Sequence, residues 1–187
     1  MTYDPSKLPL NQVRRGDRAV DDAFWIKRML HTAAVGSMAT VAQDQPFINT
    51  NMYVYDEAEN AIYTHTARAG RTRFNLEGGA KVCFSVFSMG RLLPAKVALE
   101  FSVEYASVVV FGRANLVEDE REALGALQRL LDKYAPHLAS GADYRSPTHQ
   151  ELQATSVFKL AIDSWSAKRK EVASDFPGAY RFEPVGG

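Results

Sequence analysis

Residues 61–76 read Ala61-Ile-Tyr-Thr-His-Thr-Ala-Arg-Ala-Gly-Arg-Thr-Arg-Phe-Asn-Leu76. The first six residues are of types that strands favour, and Ile and Thr side chains alternate there with Tyr63 and His65. Gly70 then loosens the backbone, and the residues after it can open a short helix. This stretch therefore predicts a strand, a glycine-containing turn and a helix in immediate succession.

The start of this helix carries an unusual concentration of positive charge. Arg68, Arg71 and Arg73, here called the arginine corner, lie where the helix begins. Cations at a helix N-terminus are unfavourable by roughly 0.3–1 kcal/mol each. The arrangement is explained if an anion lies among them, held by backbone N–H groups and guanidinium groups. We interpret the turn as a phosphate-binding corner, and the alternative is an exposed charged face without a ligand. Hydroxyl groups suited to phosphate flank it on Thr64, Thr66 and Thr72.

The composition is that of an ordinary globular protein. The 187 residues suffice for one domain with a sizeable core, and 46% of them are hydrophobic. The formal net charge is zero, with 22 basic and 22 acidic residues, which argues against a nucleic-acid-binding protein. The single cysteine, Cys83, excludes an internal disulfide and a multi-cysteine metal site. The histidines outside the opening stretch show no ligand spacing, so we predict no metal.

Neither a secretory signal nor a membrane span is recognisable. The first ten residues contain Pro5 and Pro9 and no continuous apolar segment. No run in the chain approaches the ~18 apolar residues that a membrane-spanning helix needs. We therefore expect a cytoplasmic protein that does not associate with membranes.

The chain is expected to form an N-terminal arm (1–20), one domain (21–172) and a C-terminal tail (173–187). Six or seven strands joined mostly by short turns, with two or three helices, predict a mainly β fold. Sequential hairpins favour an antiparallel sheet, closed as a barrel with peripheral helices. The predicted strands are 33–41, 46–55, 61–66, 81–87, 97–116 and 156–163. The predicted helices are 21–32 and 118–134, short helical segments are predicted at 72–76 and 147–154, and 88–96 is predicted to be a loop.

A set of short motifs resembles the pyridoxamine-5′-phosphate-oxidase-like flavoproteins, and is most similar to their nitroimidazole-resistance (Nim-like) branch. The resemblance covers roughly residues 13–170, and its strength lies in the order and spacing of the motifs. The motifs are Arg14-Arg15-x-Asp17-Arg18, Val35-Gly-Ser-Met-Ala-Thr-Val41, Pro46-Phe-Ile-Asn49, Tyr53-Val-Tyr-Asp56, Ile62-Tyr-Thr-His-Thr-Ala67 with Gly70-Arg71, Val82-Cys-Phe84 and Lys133-Tyr134-x-Pro136.

The resemblance implies a six- to seven-stranded antiparallel split β-barrel of the FMN-binding type. It also implies a homodimer with flavin mononucleotide (FMN) in a groove between the subunits. The strand before the Gly-Arg turn would follow the flavin, and the turn would hold its phosphate. A lysine often follows the Gly-Arg pair in the family, whereas this chain has Thr72. The cofactor-binding residues implied are Phe47, Asn49, Tyr63, Thr64, His65, Thr66, Arg71, Thr72, Ser85 and Trp165.

The chemistry implied is that of an FMN-dependent oxidoreductase. FMN would transfer hydride to a small planar substrate, such as a nitroaromatic compound or another heterocycle. His65 is the candidate catalytic residue, since imidazole titrates near neutral pH. It could instead serve only as a hydrogen-bond partner, and Trp165 could be a core or interface residue. Two other functions stay open, a non-catalytic FMN or haem carrier or sensor and a structural dimer with an empty groove.

Overall fold

The computed structural model describes residues 4–183. It contains four α-helices: α1 (Ala23–Thr32), α2 (Arg71–Asn75), α3 (Glu120–Tyr134) and α4 (His149–Leu152). Its strands are β1 (Gly36–Ala42), β2 (Gln45–Asn51), β3 (Tyr53–Asp56), β4 (Ala61–Ala67), β5 (Ala80–Leu93), β6 (Ser102–Leu116), β7 (Thr155–Lys170) and β8 (Tyr180–Arg181). The mainly β prediction is confirmed.

The sheet closes on itself as a split barrel. Its strand order is β2-β1-β5-β6-β7-β4-β3, with every pair antiparallel and with β8 added beside β5. Only Met52 separates β2 from β3, although these two strands lie at opposite ends of that order. Consecutive Cα atoms are about 3.8 Å apart, so Asn51 and Tyr53 lie within about 7.6 Å of each other. The sheet must therefore curl until its two ends meet.

Several predicted boundaries were wrong. The stretch 46–55 forms two strands instead of one, because the chain crosses at Met52 from one end of the sheet to the other. Most of the predicted loop 88–96 belongs to β5, which continues to Leu93 with a register shift between Met89 and Leu92. The last long strand continues seven residues beyond the predicted end at Asp163, to Lys170. The predicted strand 97–116 begins only at Ser102, and β5, β6 and β7 are the longest strands of the barrel.

Two apolar cores hold the fold together. The larger core fills the barrel and includes Ile26 and Leu30 from α1, Tyr53 from β3 and Phe84 from β5. The smaller core lies outside the barrel, where α3 and α4 pack over β3, β4 and β7. Its buried members are Val54, Ala61, Tyr63, Ala123, Ala126, Leu130, Leu152 and Val157. The alternation of β4 therefore serves both cores, with Ile62 facing inward and Tyr63 facing outward.

The N-terminal segment lies against its own domain. The Val20 N–H donates to the Ala167 carbonyl across 3.0 Å, and Ala19 bridges Lys168 in β7. At the other end of the chain, the segment after β7 is held by Arg91, which donates to the Val172, Ala173 and Ser174 carbonyls. Within residues 4–183, no helix is long and apolar enough to cross a membrane.

Candidate functional site

The arginine corner lies at the junction of β4 and α2, as the sequence predicts. Gly70 has φ 133°, a backbone conformation that residues other than glycine rarely adopt, and α2 begins at the next residue. The chain can therefore reverse from strand to helix within a few residues. The turn places three guanidinium groups beside the end of β4.

Two of these arginines have no protein partner in the part of the chain that the structure describes. Arg71 makes no hydrogen bond or ion pair there, and its guanidinium lies 5.7 Å from the Phe74 ring centroid. Arg73 likewise has none. Arg68 differs, because its Nε donates to the Leu152 carbonyl across 3.1 Å. Arg71 and Arg73 are thus free of salt bridges among the described residues, although Glu118 and Glu120 line the same cavity as Arg68 and Arg73.

A polar contact joins this corner to the far end of the sheet. Asn49 Nδ2 of β2 donates to Thr72 Oγ1 of α2 across 3.0 Å. Since the Thr72 oxygen accepts this bond, its own O–H stays free to donate to a ligand. Asn75 Nδ2 makes a parallel contact to Thr40 Oγ1 across 2.8 Å. These two bonds fix α2 against β1 and β2.

Asn75 and Thr40 were missed by the sequence reasoning. Both are buried, and Asn75 Oδ1 has no hydrogen-bond partner among the described residues. The sequence shows only an asparagine near the end of a very short helix. Asparagine is common at helix ends, so its position did not indicate a buried contact. The role of Asn75 and Thr40 can be recognised only once the contact between α2 and β1 is known.

The predicted residues on β4 fall on two different faces. Tyr63 lies under α3, where its hydroxyl donates to Glu122 Oε1 across 2.6 Å and its ring centroid lies 5.0 Å from the Arg129 guanidinium carbon. The buried Thr64 hydroxyl donates to the Met52 carbonyl across 3.1 Å. The polar groups of both side chains are therefore already bonded within the chain.

His65 and Thr66, near the C-terminal end of β4, are more accessible than Tyr63 and Thr64. Thr66 Oγ1 donates to the Ala67 carbonyl across 2.9 Å, a local bond that a ligand can replace. His65 is exposed and makes no hydrogen bond to any residue from 4 to 183. Nearby protein atoms nevertheless displace part of its water, and this desolvation lowers the pKa of the imidazole. This shift favours the neutral imidazole.

The other predicted positions lie on different surfaces. Phe47 is half-buried and pairs with Thr40, on the same face of β2 as Asn49. Ser85 pairs with Ser37 on the opposite, outer face of the sheet. The structure thus brings Phe47 and Asn49 to the side of α2 and places Ser85 behind them.

Trp165 is far from the corner of the same chain. It pairs with Val110, whereas Thr66 at the corner pairs with Ser156, nine positions earlier in β7. At about 3.3 Å per residue this separation is about 30 Å. Trp165 instead lines a cavity of about 630 Å³ beneath the N-terminal segment, together with Val20. Within one chain it does not meet the other predicted residues.

Comparisons with known proteins agree with this architecture. The family model described as pyridoxamine 5′-phosphate oxidase matches residues 24–169. No curated protein sequence matches this chain. Three solved structures share the fold: the FAD and heme binding protein from Mycobacterium smegmatis, the flavocytochrome Anf3 from Azotobacter vinelandii, and a Bacteroides thetaiotaomicron protein named for 5-nitroimidazole antibiotic resistance.

The similarity to these structures is clear in fold and low in sequence. The Mycobacterium protein has a TM-score of 0.75 at 24% identity, covering 83% of this chain and 74% of its own. The Azotobacter protein has a TM-score of 0.76 at 23% identity, covering 95% and 86%. The Bacteroides protein has a TM-score of 0.66 at 17% identity, covering 82% and 90%. They support the split barrel, and the family match extends over most of its strands. The chain therefore belongs to the pyridoxamine 5′-phosphate oxidase family.

Proposed function

We propose that this protein binds a flavin through its FMN portion and acts as an oxidoreductase on a small planar substrate, such as a nitroaromatic compound or a heterocycle. The flavin phosphate lies at Arg71 and Thr72, and the ring system follows β2 near Phe47 and Asn49. A bound flavin would supply hydride transfer, while the chain supplies binding, orientation and electrostatics.

The observation that carries this proposal is the guanidinium of Arg71, which has no salt bridge among the described residues. Arg71 has no anionic partner among residues 4–183, and the Thr72 O–H beside it is free to donate. A guanidinium and a hydroxyl together form a suitable phosphate site. Family membership supports the same assignment. Proteins of the same fold include one named for FAD binding and one named as a flavocytochrome.

The roles of the remaining predicted residues follow from their positions. Thr66 offers a second hydroxyl at the end of β4, while the bonds from Thr64 to Met52 and from Tyr63 to Glu122 hold the strand in place. Desolvation lowers the pKa of His65 and so favours its neutral form, which can donate or accept one hydrogen bond to the ligand or substrate. Ser85 and Trp165 reach a flavin only if a second subunit brings them there.

The proposed site is completed by a second copy of this chain. The outer face of the sheet carries large exposed side chains, including Val41, Ile48 and Phe87 with exposed fractions of 57%, 65% and 61%. Their registers place them on the same face of β1, β2 and β5. Exposed apolar side chains gathered on one sheet face favour an interface. A two-fold arrangement of this face gives a homodimer with the flavin groove at the subunit boundary.

The test is an absorption spectrum of the purified protein, followed by identification of the released cofactor by mass spectrometry. A flavin spectrum and oxidation of NADH or NADPH in the presence of a nitroimidazole are expected. A colourless protein that takes up no flavin contradicts the binding proposal. A flavin-loaded protein that reduces none of several acceptors contradicts the enzymatic part alone.

One observation favours a second candidate, a non-catalytic FMN or haem carrier or sensor. His65 is accessible and has no hydrogen-bond partner in the described part of the chain, so nothing there orients it as an acid or base. Its free imidazole could instead ligate a haem iron. A Soret band in the purified protein, together with inactivity toward all donors and acceptors, would favour this candidate.

A further inference from the structure

The cavity beneath the N-terminal segment lies far from the arginine corner, and the function proposed above does not depend on it. Its volume of about 630 Å³ falls within the range of small-molecule sites, roughly 300–1,000 Å³. Residues 11–13 and 19–21 form one wall, and residues 162–167 of β7 form another. The hydrogen bond from the Val20 N–H to the Ala167 carbonyl joins these two walls.

A β-bulge shapes the wall that β7 contributes. Ser164 pairs with Phe111 of β6 and Ile162 pairs with Gly112, so Asp163 between them has no partner on β6. An extra residue of this kind changes the direction of the side chains around it, and bulges are over-represented beside functional sites. Asp163 is exposed and lines the cavity.

The bulge also brings two apolar side chains to the same side of β7. Residues three positions apart in a regular strand face opposite sides. Ile162 and Trp165 instead both pack against the core inside the barrel, because the bulge shifts the alternation by one residue. Ile26 of α1 lines the same cavity. The cavity therefore combines an indole ring with aliphatic surface.

The charged groups at this cavity are all negative. Among the described residues that line it, Asp21 and Asp163 are acidic, and none is lysine, arginine or histidine. Neither carboxylate makes a hydrogen bond or ion pair within residues 4–183. The neighbouring Asp22, and not Asp21, accepts from the first N–H groups of α1. The other polar lining residues are uncharged: Asn11, Gln12, Asn60, Ser164 and Ser166.

We infer that this cavity binds a small organic ammonium ion that carries an apolar group. The ammonium N–H groups donate to Asp163 and Asp21, and the apolar group packs on Ile162 and Trp165. Hydrogen bonds between an ammonium and a carboxylate are stronger than those between neutral groups, and an indole face also attracts a cation. The site should therefore prefer an ammonium to a neutral or anionic ligand of the same shape.

The experiment compares three ligands that share a phenyl group: phenethylamine, phenethyl alcohol and hydrocinnamate. Isothermal titration calorimetry of the purified protein at pH 7 gives their affinities. Phenethylamine is expected to bind about tenfold more tightly than the alcohol. This is the lower end of what a charged hydrogen bond contributes, because both carboxylates are exposed. Hydrocinnamate should bind no more tightly than the alcohol.

A carboxylate variant shows whether the preference for the amine arises at this cavity. Asp163→Asn should remove most of the preference and leave the affinity for phenethyl alcohol unchanged, because it keeps the shape and loses the charge. Asp175→Asn is the matched control, since Asp175 is exposed after β7, outside the cavity, and the preference should persist there. Circular dichroism confirms that each variant is folded.

Tryptophan fluorescence locates the bound amine. The chain has two tryptophans, and Trp25 does not line this cavity. Phenethylamine should change the emission of the wild-type protein and should leave that of Trp165→Phe unchanged. A response that persists in Trp165→Phe would place the amine near Trp25 and would overturn the inference.

Two further results would overturn it. One is equal affinity for phenethylamine and phenethyl alcohol, or no binding of either. The other is an undiminished preference for the amine in Asp163→Asn. The proposed flavin site would stand in each case, because none of these measurements involves the arginine corner.

Discussion

The side chain of Asn49 donates to the hydroxyl of Thr72 across 3.0 Å. This contact joins β2, at one end of the sheet, to the first turn of α2, which follows β4 near the other end. It fixes the arginine corner relative to the strand that is proposed to run beneath the flavin ring. The Thr72 O–H itself has no acceptor among residues 4–183. The position of the phosphate site thus depends on the closure of the barrel.

Substitutions at Asn49 test this relationship. Asn49→Ala removes one neutral hydrogen bond and should lower the free energy of unfolding by about 0.5–1.5 kcal/mol. Asn49→Asp should reduce flavin affinity more than Asn49→Ala does. Aspartate can only accept, so Thr72 would turn its O–H toward the carboxylate, and a negative charge would approach the phosphate. Flavin titration compares the affinities of the two variants, and a weaker affinity in Asn49→Ala than in Asn49→Asp would contradict the proposed role of the Thr72 O–H.

Arg71→Ala tests the phosphate assignment directly. The loss of a charged hydrogen-bond partner, ~1.5–3 kcal/mol, should reduce flavin affinity roughly tenfold to a hundredfold. The stability of the variant should change little, because Arg71 is exposed and makes no hydrogen bond or ion pair among residues 4–183. Equilibrium titration with FMN measures the loss, with Arg113→Ala as the matched exposed-arginine control. Unchanged flavin retention in Arg71→Ala would place the phosphate elsewhere.

Tyr63→Phe separates structure from ligand binding. The Tyr63 hydroxyl donates to Glu122 Oε1, which also accepts from Lys159 Nζ across 2.9 Å. Removal of the hydroxyl should lower the free energy of unfolding by about 1–2 kcal/mol, because a bond to a charged acceptor is lost. Urea denaturation measures this change. Flavin affinity should stay at the wild-type value, and a large loss of affinity would show that Tyr63 reaches the cofactor.

The lowered pKa of Glu104 predicts how the free energy of unfolding depends on pH. Arg91 and the backbone N–H groups of Val172 and Arg91 hold the pKa of Glu104 down to about 2, from an ordinary value of 4.5. A depressed pKa means that the stabilisation is complete above pH 4.5 and is lost as the pH falls toward 2. Between pH 4.5 and 2, the attachment of the segment after β7 to Glu104 and Arg91 should therefore weaken.

The measurement is urea denaturation of the wild-type protein and Glu104→Gln at pH 7, 4 and 3. The difference in stability between them should be greatest at pH 7 and should shrink as the pH falls. The protection factor of the Val172 N–H, which is its intrinsic exchange rate divided by the observed rate, should also be lower at pH 3 than at pH 7 in the wild-type protein, because its bond to Glu104 is weakened. A difference that does not change with pH would contradict the assigned pKa.

The sequence predicted the fold class well because alternation and turn residues are local signals. The β4–α2 junction, the helix capped by Asp22 and the long helix α3 all follow from residues close together in the chain. The break at Met52 could not be predicted in this way. Residues 46–55 alternate without interruption, and only closure of the barrel requires the chain to leave one strand and enter another there.

The candidate site was predictable to the extent that its residues are neighbours in sequence. The arginine corner is one short segment, so its position and charge were readable from the chain. The environment of Tyr63 was not, since its partner Glu122 lies 59 positions away on α3. Strand alternation separates Tyr63 from Thr64, but it does not say which face meets a helix. For Trp165, the unexpected length of β7 carries the side chain away from the corner.

The last prediction concerns dimer formation through the exposed apolar side chains on the outer face of the sheet. Ile48 projects from β2 with an exposed fraction of 65%, and Phe87 lies on the same face. If a second copy covers this face, Ile48→Lys places an ammonium group in an apolar interface, and desolvation of that charge should disrupt the dimer. Leu138→Lys is the control, because Leu138 is also exposed but lies after α3 and outside the sheet. Light scattering after gel filtration should give a dimer for the wild type and Leu138→Lys, and a monomer for Ile48→Lys. Because the proposed groove lies between subunits, the monomeric variant should also lose flavin. A monomeric wild-type protein that binds flavin at full affinity would show that one chain is sufficient for the site.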